Sequence, residues 1–188
     1  METHKVIVTG TGRSGTTFLM CLLTQLGINT GYSKDDYHKY INPRCNGGLE
    51  RVGHVDYYVI KNPEFCTAIP TLVQKYIIDH VFVLVRNMND AASSRISHGR
   101  DPGGLWGTVD TKSQKDILLQ KFGTLMSDLI LNDVPHSCLI FPRLATDGEY
   151  CFKALKPLLE KIQPDLSLET FMTIFNVVSN PKLIHNYK

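Results

Sequence analysis

Apolar residues are distributed along the chain in two recurring patterns. Residues 5–9 (KVIVT) form a short apolar and β-branched run that ends at glycines, which is typical of a buried parallel strand. Residues 16–26 place apolar side chains at helical spacing, and Gly27 ends that segment. The pattern therefore predicts a strand, a tight loop and a helix near the start of the chain.

The same alternation continues to the end of the sequence. Strands are predicted over residues 56–61, 80–85 and 136–141, and helices over 64–78, from Asn89 or Asp90 to His98, and over 112–132, 147–162 and 168–178. Pro70 and Pro157 are expected to kink or break their helices. Residues 28–54 and 99–110 show no sustained period and are rich in turn-forming residues, so they are predicted to be long loops.

Strands that alternate with helices predict an α/β fold, with a parallel sheet flanked by helices on both faces. Residues 1–188 fit a single domain, because this length buries one core and leaves little room for a second. In such sheets ligands bind at the carboxyl ends of the strands. The loops after Thr9, Lys61 and Val85 are expected to meet there.

The composition is that of an ordinary globular protein, with 43% hydrophobic and 20% charged residues. A formal net charge of +2 is too small for a nucleic-acid groove, so any anion site must be built from a few placed cations and backbone amides. No signal-peptide pattern and no apolar run long enough to span a membrane are present, so we expect a soluble, cytoplasmic protein. The five cysteines show no zinc or redox spacing and are interpreted as reduced structural thiols.

Residues 6–19, VIVTGTGRSGTTFL, resemble the start of a phosphate-binding loop. Gly10 and Gly15 keep the spacing of the Walker pattern, but Thr16 stands where that pattern has its lysine. Loss of the lysine argues against triphosphate hydrolysis, and Arg13 supplies a cation from inside the loop instead. A tight turn that binds no ligand is the alternative interpretation.

The backbone and hydroxyl groups of this loop are suited to an anion. Amides of residues 14–17 lie at the predicted amino end of a helix, where the first N–H groups have no partner within the helix. The side chains of Ser14, Thr16 and Thr17 add hydroxyl donors, and Gly15 lets the backbone turn tightly.

The run RSGTT resembles the 5′-phosphosulfate loop of sulfotransferases that use 3′-phosphoadenosine 5′-phosphosulfate (PAPS), in which Lys or Arg precedes Ser-Gly-Thr-Thr. A second motif of that family has a strand ending in Arg and a Ser eight residues later. The sequence VFVLVRNMNDAASSRISH places Arg86 and Ser94 at that spacing. The resemblance implies that these two residues bind the 3′-phosphate, with His98 one turn further on to assist. In isolation, a surface arginine and an ordinary helix serine are the alternatives.

Lys61 in VIKNPEF resembles the lysine of the Lys-Asp-Pro segment found in tyrosylprotein and several bacterial sulfotransferases. In those relatives the lysine reaches the reacting sulfate. Asn62 stands here in place of the aspartate, so the match is partial. A solvated lysine at a strand end is the alternative.

Sulfuryl transfer needs cations near the leaving phosphate and a base for the acceptor proton. Arg13 and Lys61 are the candidates for the cations, and the scheme requires no metal. For the base we rank Asp35 or Asp36 first, because the resembling proteins carry a glutamate just after the first helix, and then Glu50 and His38. His54 is a further possibility.

The resemblance implies a sulfotransferase-like three-layer sandwich of P-loop type, with PAPS as co-substrate. The resemblance also implies that the acceptor is a hydroxyl or amine of a small molecule, a carbohydrate or a peptide. The oligomeric state of the protein is left open. A P-loop nucleotide kinase or NTPase with an altered loop, or a noncatalytic nucleotide-binding relative, are the alternatives. Trp106 either stacks on the adenine or anchors its loop, and Arg143 lies in a late loop of the family pattern.

Overall fold

The computed structural model describes residues 3–51, 56–101, 103–107 and 112–184. Its centre is a parallel four-stranded sheet with the strand order β4-β1-β5-β6. The sheet strands are β1 (His4–Gly10), β4 (Val59–Lys61), β5 (Ile77–Val85) and β6 (His136–Ile140), and a separate antiparallel hairpin is formed by β2 (Ile41–Asn42) and β3 (Gly47–Gly48).

Helices follow the strands in the order that the alternating pattern predicts. They are α1 (Thr16–Gln25), α2 (Ile69–Val73), α3 (Met88–His98), α4 (Gln114–Leu131), α5 (Arg143–Thr146), α6 (Gly148–Ala154), α7 (Lys156–Ile162) and α8 (Leu168–Val178). Short 3₁₀ helices occupy Tyr37–Tyr40, Pro63–Thr67 and Pro181–Leu183. Among the described residues, none of these helices is both long and apolar enough to cross a membrane.

Each face of the sheet is covered by its own set of helices. Alternate residues of a strand point to opposite faces, so Val6 and Val8 pack with α1, α6, α7 and α8, while Ile7 packs with α2 and α4. In β5, Phe82 joins the first cluster and Val83 the second. This arrangement confirms the predicted α/β fold, with a parallel sheet between two helical layers.

Prolines and caps set several boundaries differently from the sequence pattern. The predicted helix over 64–78 is instead a 3₁₀ helix followed by α2, with Pro70 in the first turn of α2, and the chain enters β5 at Ile77. The predicted helix over 147–162 is divided into α6 and α7 by Pro157. The amino end of α3 is capped by Asn87, whose side-chain oxygen accepts from the amides of Asn89 and Asp90.

The register of the sheet brings three loops to one edge. Val8 of β1 pairs with Lys61, and Gly10 pairs with Leu84, so the loops after β1, β4 and β5 leave the sheet side by side. Ile140 pairs with Val85, which brings the loop after β6 to the same edge. The carboxyl edge of the sheet is therefore the place where a ligand site is expected.

Candidate functional site

The loop between β1 and α1 has a tightly turned backbone. Gly12, Arg13 and Gly15 have φ angles of 71°, 55° and 88°, all in the left-handed region. A Cβ atom on Gly15 would lie 2.5 Å from Cδ2 of Phe141, so a side chain does not fit there. Arg13 adopts this conformation without being glycine, which is uncommon and concentrates at functional sites. The turn delivers the chain to the amino end of α1, whose first amides have no partner within the helix.

Arg13 connects the two motifs of the sequence. Its Nε donates to Oγ of Ser94 at 2.9 Å, and its Nη1 donates to the carbonyl oxygen of Cys45. The carbonyl oxygen of Arg13 accepts from Nη1 of Arg86 at 3.0 Å. The loop arginine, the strand-end arginine and the helix serine therefore form one connected group, although 81 residues separate Arg13 from Ser94.

Arg95 is a buried cation that sequence reasoning missed. It is 6% exposed, and its Nη1 and Nη2 donate to the carbonyl oxygens of Gly104 and Thr11 at 2.6 and 3.0 Å. Burial, with the neighbouring charge of Arg13, lowers the pKa of Arg95 to about 10, so it remains a cation at neutral pH. The available signal was its helical spacing from Ala91 and Ala92, which places an arginine on the apolar face of α3.

Lys61 is a second buried cation and is paired with Glu50. Its side chain is 1% exposed, and Nζ donates to Oε1 of Glu50 at 2.6 Å and to the carbonyl oxygen of Gly48 at 2.7 Å. A longer contact of 3.4 Å joins Nζ to Oγ1 of Thr17 in the first turn of α1. Burial lowers the pKa of Lys61, and the charge and hydrogen bond of Glu50 oppose that change. Lys61 therefore lies between a carboxylate and the start of α1.

These groups line one cavity of about 570 Å³ at the carboxyl edge of the sheet. That volume is typical of small-molecule sites. Of the predicted site residues, the cavity wall includes Arg13, Gly15, Thr16, Thr17, Glu50, Lys61, Arg86 and Ser94. Glu50 is the single acidic residue among the described residues of the wall, whereas Arg13, Lys61, Arg86 and Arg95 contribute cationic groups.

Four predicted site residues do not reach this wall. Asp35 and Asp36 lie in the turn before the Tyr37–Tyr40 helix, where Oγ of Ser33 accepts from the amide of Asp35, and neither residue lines the cavity. The geometry therefore favours other candidates over these two, and the identity of the base stays a prediction. Among the described candidates, Glu50 and His38 line the cavity.

His98 and Ser14 are the other two. Nδ1 of His98 lies 2.7 Å from the carbonyl oxygen of Ser94, so the ring packs on its own helix. The hydroxyl of Ser14 is buried beneath the loop and finds no partner among the described residues. His54, the remaining base candidate, falls outside the described residues.

Trp106 anchors its loop to the helices. The Arg95 guanidinium lies 4.2 Å and the Lys121 ammonium 4.1 Å from the centre of its ring, and the ring packs against the core on the α4 face. Trp106 does not line the main cavity, so the geometry favours the anchoring interpretation over adenine stacking. Arg143 also lies off the wall and pairs with Asp147 at 3.0 Å.

Apolar residues complete the cavity wall, and most of them were not predicted. Phe18 of α1 and Phe141 after β6 lie on the side where the carboxyl end of α8 contributes Val178. Phe18 contacts Phe175 of α8 edge to face, with ring centres 5.9 Å apart. The Phe141 ring lies 5.3 Å from the guanidinium of Arg86. Flat apolar walls beside cationic side chains are chemically suited to the base of a nucleotide.

Comparisons with known proteins support the fold. No family model matches the sequence, and no curated protein matches it either. Among solved structures, the sulfotransferase domain from the Synechococcus PCC 7002 olefin synthase superposes with a TM-score of 0.54 at 13% sequence identity, covering 96% of this chain and 82% of that one. The chain therefore has a sulfotransferase-like α/β fold.

Proposed function

We propose that this protein transfers a sulfuryl group from PAPS to a hydroxyl group of an acceptor. The observation that carries the proposal is the convergence of Arg13, Arg86 and Ser94 with Lys61 on one cavity. The phosphosulfate loop and the 3′-phosphate motif are far apart in sequence, yet the Arg13–Ser94 hydrogen bond joins them. The sulfotransferase-like fold supports the same conclusion.

The chemistry of the donors fits a nucleotide with phosphates at both its 3′ and 5′ positions. The amino end of α1, with Thr16 and Thr17, would bind the 5′-phosphosulfate. Arg86 and Ser94 would bind the 3′-phosphate, because a guanidinium fork and a hydroxyl together suit its oxygen atoms. Arg13 touches Ser94 and follows directly from the glycine turn, so it would contact both ends of the anionic ligand.

Glu50 and Lys61 are the candidates for acting on the reacting groups. The acceptor oxygen attacks the sulfur atom, the sulfur–oxygen bond to the 5′-phosphate breaks, and the leaving phosphate keeps the electron pair. Glu50 would take the acceptor proton, because its carboxylate lines the cavity and retains 43% side-chain exposure. Lys61, between Glu50 and Thr17, would stabilise the negative charge that grows on the bridging oxygen.

A binding experiment tests the nucleotide part of the proposal. We expect calorimetric titration to show tighter binding of 3′-phosphoadenosine 5′-phosphate than of ADP or ATP. Arg86→Ala should remove that preference, because the 3′-phosphate loses its guanidinium partner. Arg143→Ala is the matched control, since Arg143 follows the neighbouring strand and does not line the cavity. Equal or tighter binding of ATP would contradict the proposal and favour a nucleotide kinase or NTPase.

A kinetic experiment tests the role of Glu50. Glu50→Gln keeps the size of the side chain and removes its ability to accept a proton, so we expect kcat to fall about 100-fold or more. The binding of 3′-phosphoadenosine 5′-phosphate should change little in the same variant. Asp35→Asn is the control, because Asp35 does not line the cavity. An unchanged kcat in Glu50→Gln would remove Glu50 from the mechanism.

A further inference from the structure

The end of the cavity around Lys61 is lined mainly by side chains that lie between residues 21 and 50. It includes Cys21 of α1, Tyr37 of the 3₁₀ helix and Ile41 of β2, together with Glu50 and Lys61. These residues are close neighbours, since Cys21, Tyr37 and Ile41 pack in one apolar cluster and Lys61 is hydrogen-bonded to Glu50. The reacting groups of the proposed transfer therefore meet the acceptor at this end.

The charges at this end compensate each other. Nζ of Lys61 and Oε1 of Glu50 are 2.6 Å apart and form an ion pair. No further lysine, arginine or acidic side chain occurs between residues 21 and 50 among the described residues of the wall. Lys39 and Arg44 belong to the same segment but lie off the wall. Arg13 also reaches this segment, where its Nη1 donates to the carbonyl oxygen of Cys45, but in the proposed mechanism its charge is engaged by the nucleotide. Among the described residues of the wall, an anionic acceptor would therefore find no other lysine or arginine at this end whose charge is not already paired.

Apart from His38, which is exposed, the described side chains that remain at this end are apolar or uncharged. Cys21 is 7% exposed, and burial raises the pKa of its thiol to about 12, so the thiol is neutral. Burial also raises the pKa of the Tyr37 hydroxyl. Tyr37 and Ile41 are half-buried, and each offers further apolar surface that a ligand could cover. Covering such surface is favourable, whereas bringing an unpaired charge against it is not.

We propose that the acceptor is an uncharged hydroxyl compound with an apolar body, whose hydroxyl lies at Glu50 while its body packs on Tyr37 and Ile41. The same surface disfavours polyanionic carbohydrates and acidic peptides, whose charges would find few partners there. This inference rests on the proposed sulfuryl transfer and narrows its acceptor from three classes to one.

Two ligands that differ in a single charge test the inference without turnover. The protein is first saturated with 3′-phosphoadenosine 5′-phosphate and then titrated calorimetrically with 2-naphthol or with 6-hydroxy-2-naphthoate. We expect 2-naphthol to bind at least about tenfold more tightly, because the carboxylate must be desolvated without a partner. Binding of the naphthoate, a sulfated oligosaccharide or an acidic tyrosine peptide as tightly as 2-naphthol would overturn the inference.

Variants that place opposite charges at Ile41 should change ligand binding in opposite directions. Ile41→Glu should weaken 2-naphthol binding about tenfold, and Ile41→Lys should instead strengthen the binding of the naphthoate. Both variants should keep the preference for 3′-phosphoadenosine 5′-phosphate over ADP, which also shows that they fold. Leu131→Glu is the control, because Leu131 ends α4, is 79% exposed and does not line the cavity.

The two proposals fail in different ways. If 3′-phosphoadenosine 5′-phosphate does not bind to the native protein, the proposed function is wrong and this inference falls with it. If the nucleotide binds with the expected preference but 2-naphthol does not bind its complex, the acceptor inference alone is overturned.

Discussion

Arg13 combines a left-handed backbone with two side-chain contacts, one of them to Ser94 at 2.9 Å. Under the proposed mechanism Arg13 also meets the charge that develops on the leaving group. We therefore expect Arg13→Ala to reduce kcat about 100-fold, and Ser94→Ala to act mainly on the KM for PAPS. Because the two side chains share a hydrogen bond, the double variant should lose less than the product of the single losses.

Steady-state kinetics of the two single variants and the double variant measure this coupling. A second pair, Arg13→Ala with Ser93→Ala, is the control, because Ser93 precedes Ser94 on α3 and does not line the cavity. Independent effects of Arg13 and Ser94 on kcat/KM would contradict the assigned contact.

Arg95 acts at the same scale, but on stability. Its guanidinium satisfies two buried carbonyl oxygens and lies over Trp106, so Arg95→Met leaves both oxygens without a donor. We expect the free energy of unfolding in urea to fall by about 3 kcal/mol. Arg95→Lys should recover only part of this loss, because an ammonium lacks the planar fork. Arg143→Met is the control, since Arg143 is exposed; an equal effect of the two substitutions to Met would contradict the prediction.

At the scale of elements, the turn before α1 and the middle of α4 each contain a glycine, and these two glycines have opposite surroundings. Gly15 has φ of 88° and faces Phe141, whereas Gly123 lies inside α4 with nothing within 4 Å of an added Cβ. Gly15→Ala should lower stability and displace the amino end of α1, so that binding of 3′-phosphoadenosine 5′-phosphate is lost. Gly123→Ala should raise stability by about 1 kcal/mol and leave that binding unchanged.

Thermal unfolding and nucleotide titration of both variants check this prediction. Nucleotide affinity that survives Gly15→Ala would show that the turn is not part of the site. A loss of stability in Gly123→Ala would show instead that α4 is held by contacts near that position.

The elements that sequence reasoning predicted are those whose signal is local. Most of β1 and β5 was predicted because β-branched runs are stopped by glycine or by a polar turn, and α8 because a single apolar face repeats along it. The hairpin of β2 and β3 has two residues in each strand and was predicted only as loop. Its position depends on distant groups, since Nζ of Lys61 donates to the carbonyl oxygen of Gly48.

The same distinction, between local signals and positions that depend on distant groups, applies to the candidate site. Arg13, Arg86 and Ser94 were found because their motifs are short and contiguous. Preferring Glu50 to Asp35 as the proposed base depends on the path of residues 28–50, which contact Lys61 and Thr17 of α1. Arg95 was missed because a charged residue on a helix is usually solvated, and its buried carbonyl partners come from two separate loops.

At the scale of the whole molecule, the carboxyl ends and the amino ends of the sheet strands contribute to different properties, ligand binding and stability. The cavity lies at the carboxyl ends of the strands. Towards the opposite ends, Asp79 of β5 contacts three separate parts of the chain. Its carboxylate accepts from the ring of His4 at 2.8 Å and from the hydroxyl of Tyr58 at 2.7 Å, and it pairs with Lys161 of α7 at 2.8 Å. Since these contacts lie away from the cavity, changes at Asp79 should alter stability without altering ligand binding.

The acid dependence of stability follows from this cluster. Burial by itself would raise the pKa of Asp79, but the hydrogen bonds from Lys161, Tyr58 and His4 outweigh burial and lower the pKa to about 2. A carboxyl whose pKa is lower in the folded state stabilises fully above its unfolded value of 3.8, and this contribution disappears as the pH falls towards 2. Asp79→Asn should therefore cost about 2 kcal/mol of unfolding free energy in urea at pH 7 and nearly nothing at pH 2. Asp165→Asn is the control, because Asp165 is exposed, and it should change stability little at either pH. An equal loss of stability for Asp79→Asn at pH 7 and at pH 2 would mean that Asp79 contributes through packing and not through the charge of its carboxylate.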